Sequence, residues 1–106
     1  MDQVDAVFSA LADPTRRSVL ETLSAGETVT ASGLARSLPI SRQAVAKHLA
    51  SLREARLVSS ERVGRETVYE LRPEPLEDAA AWIGRVGAEW DKRLDALRKS
   101  LARRGE

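Results

Sequence analysis

The chain has no cysteine and a single histidine, His48, in 106 residues. The first absence removes disulfides, thiolate metal sites and a cysteine nucleophile. The second leaves zinc and soft metals without their usual ligand set. It also leaves no histidine–acid–nucleophile arrangement, and no glycine-rich phosphate loop or dinucleotide fingerprint occurs. Glu77 and Asp78 are adjacent in sequence and do not face each other as a catalytic pair. No apolar run approaches ~18 residues, so no transmembrane segment is expected. The opening MDQVDAVFSALADP has early acids and no basic leader, so it does not read as a signal peptide. These absences point to a non-enzymatic cytoplasmic protein without a cofactor or membrane partner.

The net charge of +1 conceals an asymmetry. Between Arg36 and Arg65, seven basic residues face only Glu54 and Glu61, a local +5. The first fifteen residues carry Asp2, Asp5 and Asp13, a local −3. A basic middle suits an anionic partner, most commonly nucleic acid. Charge alone does not separate that from a solvated charged face.

The chain length fits one domain, 1–106, built mainly of helices with a small β-hairpin. Val4, Val7, Phe8 and Leu11 recur at helical spacing. Asp13-Pro14 then restarts the chain, with Asp13 able to cap amides and Pro14 suited to the first helical position. Val19, Leu20 and Leu23 give a second apolar face, and Gly26 is expected to end that helix. Residues 30–38 form a third short helix capped by Thr30 and stopped by Pro39. Ser41 caps a fourth, with Val45, Leu49 and Leu52 in one stripe. Two short helices so close together within 30–54 must cross steeply, as in a helix-turn-helix.

The period then changes. Residues 57–63 and 67–72 alternate like strands around Gly64 and Arg65, giving a hairpin wing over 57–72. Pro73 and Pro75 precede a long helix, 75–103. Its apolar ladder is Leu76, Ala80, Ile83, Gly87, Trp90, Leu94, Leu97 and Leu101, in alternating steps of four and three. The helix is long for a chain of this size. Its own protomer can cover part of the stripe, and a second subunit the rest. Trp82 and Trp90 read as packing or interface anchors rather than ligand-stacking residues.

On a helical wheel, Gln43, Lys47 and Ala50 point away from Val45, Leu49 and Leu52. Gln43 can pair with adenine's major-groove edge, Lys47 can reach guanine or phosphate, and Ala50 can touch a thymine methyl. Ser41 and Arg42 stand at the end that normally enters the groove. Arg62 and Arg65 flank the hairpin turn and suit sugar-phosphate or minor-groove contact. Arg16 and Arg17 are either further backbone contacts or ordinary surface residues. His48 reads as a packed or boundary residue rather than a metal ligand.

ALADPTRRSVLETL at 10–23, SRQAVAKHLASLREARLV at 41–58 and GRETVYEL at 64–71 together resemble the arsenic-repressor-like, or ArsR-type, winged helix-turn-helix regulators. The resemblance extends over residues 4 to about 101. It implies a homodimeric transcription regulator, usually a repressor, on partly palindromic operator DNA. It also implies a dimer built from the first and last helices, hence Val7, Phe8 and Leu11 with Trp90, Leu94 and Leu97. Thiol-sensing relatives carry Cys-x-Cys where this chain has Thr30 and Ser32 before Leu34. Metal-binding relatives use histidines and acids on the last helix, where this chain has no histidine. The resemblance is therefore to the non-metal-sensing branch, with any small-molecule inducer unidentified. An activator of the same fold, or a protein-interaction module without specific DNA binding, are the competing readings.

Overall fold

The computed structural model describes residues 2–25 and 28–104. Seven elements follow in order: α1 (Gln3–Leu11), α2 (Pro14–Leu23), α3 (Ala31–Ser37), α4 (Arg42–Glu54), β1 (Val58–Val63), β2 (Glu66–Leu71) and α5 (Glu74–Arg104). The fold is mainly helical, with a two-stranded wing and a long C-terminal helix, as the sequence pattern predicts. The expected role of Gly26 lies outside the described residues.

Each helix of the reading head begins where a short polar side chain meets bare backbone amides. The Asp13 carboxylate accepts the N–H groups of Thr15 (2.8 Å) and Arg16 (3.2 Å), with Pro14 already at the first helical position. Thr30 accepts from Gly33 N–H at 3.0 Å, and Ser41 from Ala44 N–H at 3.1 Å. α3 stops because Leu38 turns extended ahead of Pro39.

The end of α4 is closed by two backbone bonds. Arg56 N–H donates to the Arg53 carbonyl and Leu57 N–H to the Leu52 carbonyl, each at 3.0 Å. Leu52 and Leu57 are both buried, adding the apolar contact typical of this closure. It requires a left-handed residue between them. That residue is Arg56, at φ 62°, the only non-glycine with positive φ among the described residues.

Val7, Val19, Leu23, Leu34, Val45, Leu49, Leu52 and Leu57 form the fully buried centre. α1, α2, α3 and α4 all supply part of it, with Leu57 just ahead of β1, and burial of each side chain contributes ~1.5–3 kcal/mol. The wing is an antiparallel pair in the register Val58↔Leu71 to Val63↔Glu66. Gly64 at φ 63° and Arg65 form its two-residue turn. Positive φ at the first turn position alone matches the II′ geometry of tight hairpins.

α5 behaves as two halves. Its start packs on α1: Pro75 and Ala79 are buried, and Trp82 meets Phe8 edge to face with centroids 5.6 Å apart. Ala79, rather than the expected Ala80, is thus the buried rung. Beyond Trp82 the side chains through Arg104 are exposed, save a half-buried Ser100. Trp82 and Trp90 do not form a pair, since Trp82 is spent on Phe8 and Trp90 is 57% exposed. The molecule measures 73 × 25 × 24 Å, with a radius of gyration of 19.6 Å. A compact chain of this length would have ~13 Å.

Two stability changes are expected. Arg56→Gly relieves the left-handed strain and stabilises the fold by about 1 kcal/mol, measured by urea denaturation. The second concerns Asp13, whose carboxyl pKa lies below the ordinary 3.8. The Arg16 backbone N–H is the main cause, helped by the Thr15 N–H and the charges of His48 and Arg16, with desolvation opposing. A depressed folded pKa stabilises fully above the unfolded value and is lost as pH falls through the folded one. Asp13→Ala should therefore lower Tm at neutral pH, and its gap from wild type should close as pH drops below 3.8.

Candidate nucleic-acid interface

α4 is fixed by what it buries. Val45, Leu49 and Leu52 are inaccessible, so the opposite face must stand in solvent. Ser41, Arg42, Gln43, Lys47 and Ala50 are all exposed there, with Ala46 beside them. The small residues leave that side low enough for a close approach to a groove. The Ser41 oxygen accepts the Ala44 amide, while its own hydroxyl proton can still donate outward.

The wing brings Arg62 and Arg65 to the same side. An open groove of about 500 Å³ separates it from the helix-turn-helix. Arg42 and Gln43 line one wall, and Arg62, Arg65, Thr67 and Tyr69 the other, with Ser32 also contributing. Three guanidinium groups share this groove with one acid, Glu66. Lys47 and Ala50 are not among its lining residues; they continue the exposed face along α4. Arg62 Nε lies 3.4 Å from the Gly64 carbonyl it donates to, a weak tie at the wing tip.

The position of the wing depends on a contact that the sequence pattern did not disclose. Val29 and Tyr69 exchange both backbone hydrogen bonds, Tyr69 N–H to Val29 carbonyl at 2.7 Å and Val29 N–H to Tyr69 carbonyl at 3.1 Å. The residue before the Thr30 cap is thereby a one-residue third strand. It anchors the wing to the start of α3, and it orients Tyr69 and Thr67 along the groove. The β-branched run Thr28-Val29-Thr30 was the available signal. At the other end, Arg72 N–H donates to the Leu57 carbonyl at 2.7 Å.

Arg16 and Arg17 are engaged by their own chain. Arg16 approaches Asp13 at 3.6 Å, and Arg17 Nη1 donates to the Leu11 carbonyl at 2.5 Å, closing the end of α1. His48 is half-buried at the edge of the inward stripe of α4. Among the described residues, no three His, Cys, Asp or Glu side chains are grouped to hold a metal ion. No described helix is long and apolar enough to cross a membrane.

Comparison with known proteins places this geometry. A helix-turn-helix domain family matches residues 11–61. The HTH-type transcriptional regulator Rv2034 of Mycobacterium tuberculosis is 46% identical over 102 residues, covering 96% of this chain and 92% of that protein. The transcriptional repressor SdpR of Bacillus subtilis is 36% identical over 77 residues, covering 73% and 84%. The solved structure of an ArsR-like transcriptional regulator from Rhodococcus sp. RHA1 superimposes with a TM-score of 0.79 at 45% identity, covering 92% and 91%. The chain belongs to the ArsR-type family of winged helix-turn-helix transcriptional regulators.

This ArsR-type regulator is a sequence-specific, non-catalytic DNA-binding protein, and it presents the exposed face of α4 and the basic groove on one side. The apolar surface lies elsewhere. Ile83, Val86, Trp90, Leu94, Leu97 and Leu101 are all exposed, and at 100° per residue they fall within an arc of ~80°. Leu76 and Ala79 fall within the same arc, so one stripe is covered at its start and bare along the rest. Phe8 and Leu11, on α1 beside it, are half-buried. Val7 departs from the expectation for the dimer surface. Its exposure is 0%, since it lies within the buried cluster that also holds Val19 and Leu49, so it has nothing to offer a second subunit.

Proposed function

We propose that this ArsR-type regulator is a cytoplasmic homodimeric repressor that binds a partly palindromic operator. The observation that carries the proposal is the pairing of an exposed basic reading face with a long, one-sided apolar helix that its own chain leaves uncovered. Phe8, Leu11, Trp90, Leu94 and Leu97 form the dimer contact. A monomer exposing this stripe would carry a large apolar patch, which soluble chains rarely tolerate. Its resemblance to the repressor SdpR supports repression over activation.

Two α4 helices fixed by one dimer axis enter successive major grooves ~34 Å apart. Gln43, Lys47 and Ala50 read base edges, with Ser41 and Arg42 at the entering end. Arg62 and Arg65 hold the flanking sugar-phosphate. The bound dimer occludes promoter DNA. No step of this mechanism requires a cofactor.

The chain belongs to the branch that does not sense metals or thiol-reactive species. Position 30 holds a threonine whose oxygen is occupied in capping α3, position 32 a serine, and α5 has no histidine. A small-molecule inducer would then act by preferring one pose of the dimer over another.

Lys47→Ala is expected to weaken binding and, where it meets a base, to change sequence preference. Arg65→Ala should weaken binding about equally on all duplexes and reduce the slope of log affinity against log salt by about 1. Fluorescence anisotropy across salt concentrations tests both, and unchanged affinity in both variants refutes the assigned face. Trp90→Ala should weaken dimerisation by about 2 kcal/mol or more, roughly thirty-fold. Sedimentation equilibrium measures this; a monomeric wild type at micromolar concentration refutes the interface.

A further inference from the structure

A second cleft, between α1, the start of α2 and the far end of α4, has a volume of about 590 Å³. That lies within the range of small-molecule sites. Gln3, Ser9, Arg16, Ser51, Glu54 and Arg56 supply its polar lining. It stands on the flank of α4 away from the wing, and shares no lining residue with the basic groove.

Arg56 is its unusual member. Glycine would occupy φ 62° without strain, yet the chain places a long cationic side chain there. The fold uses only the backbone of this residue. Among the described residues no side-chain hydrogen bond or ion pair engages its guanidinium, and the residue is exposed. The left-handed backbone serves the closure of α4, but the side chain that glycine would lack serves no contact within the fold, which points to a use outside it. Arg16 adds a second guanidinium, one edge near Asp13 and its Nε buried without a hydrogen-bond partner.

We propose that this cleft binds a small polar molecule bearing a carboxylate or phosphate, and that Arg56 recognises the anion. The proposal rests on the DNA-binding reading for its consequence, which is regulation of that binding. Glu54 disfavours the DNA backbone as the occupant, because it places a carboxylate in the cleft. It suits instead a hydroxyl or amino donor on the body of a small ligand, while Ser9 and Ser51 add neutral partners.

The cleft also spans the joint that an effector must move. Gln3 Nε2 donates to the Ala55 carbonyl at 2.6 Å, tying the first residue of α1 to the cap of the reading helix. α1 packs in turn against α5 through Phe8 and Trp82. A ligand held between α1 and α4 favours one arrangement of this tie, and so one pose of α4 relative to the dimer.

The test titrates the intact protein with inorganic phosphate, and separately with succinate, at constant ionic strength. Tm and affinity for a selected operator duplex are followed in wild type and Arg56→Gly. The variant has the higher starting Tm, so a lost response is not a folding defect. Expected are a saturable Tm rise of a few degrees in wild type with at least one anion, its loss in Arg56→Gly, and a several-fold change in duplex affinity at saturation in wild type alone. Equal rises in both proteins, or no saturable rise with either anion, overturn the proposal. So does weaker duplex binding by Arg56→Gly without added anion, with a salt slope lower by about 1, which would assign the guanidinium to DNA phosphate. Should wild type bind no duplex at all, the DNA-binding reading fails, while the Tm titration still decides whether the cleft takes an anion.

Discussion

The burial of Val45, Leu49 and Leu52 in a core shared with α2 and α3 is the constraint from which the exposed face of α4 follows. A helix that places three apolar residues on one side has no choice about what it shows on the other. Once those side chains are seated, Gln43, Lys47 and Ala50 face solvent, and the Ser41 cap fixes where the row begins. The proposed reading face is therefore a consequence of core packing rather than a separately built site. A rotation of α4 by one residue would turn about 100° of surface and bury the wrong groups.

The rest of the molecule holds that helix in place and aims it. The closure at Arg56 and Leu57 directs the chain from α4 into β1, and the Arg72–Leu57 bond brings the wing back to the same point. The Val29–Tyr69 exchange then sets the wing against α3 from the opposite side. With both ends anchored, Arg62 and Arg65 share a groove with Arg42 instead of hanging from a loose hairpin. α5 serves a different requirement. It projects an apolar stripe that its own chain leaves uncovered, and in the proposed dimer that stripe sets the arrangement of the two reading heads.

Much of this was legible in the sequence because the signals were local. Asp13-Pro14, Thr30 and Ser41 announce helix starts through short-range capping, and the structure shows each bond. The wing followed from alternation around Gly64, whose turn needs a positive φ. What escaped the sequence depended on contacts between distant segments. The Val29–Tyr69 bridge joins residues forty positions apart. Val7 sits on the same periodic face as its neighbours, so spacing could not tell a residue pointing into the core from one left at its margin. The bond made by the Arg17 guanidinium likewise depends on a carbonyl of the preceding helix. Arg56 is legible only afterwards, since nothing in LREARLV states that the arginine must be left-handed.

The claim at the centre is that two identical reading helices, related by a dimer axis, select DNA. Selection from a random duplex pool by the purified protein tests it most directly. The account predicts an enriched inverted repeat with half-site centres about one helical turn apart, ~10 base pairs. Enrichment of a single unrepeated site, or binding without sequence preference, would contradict it.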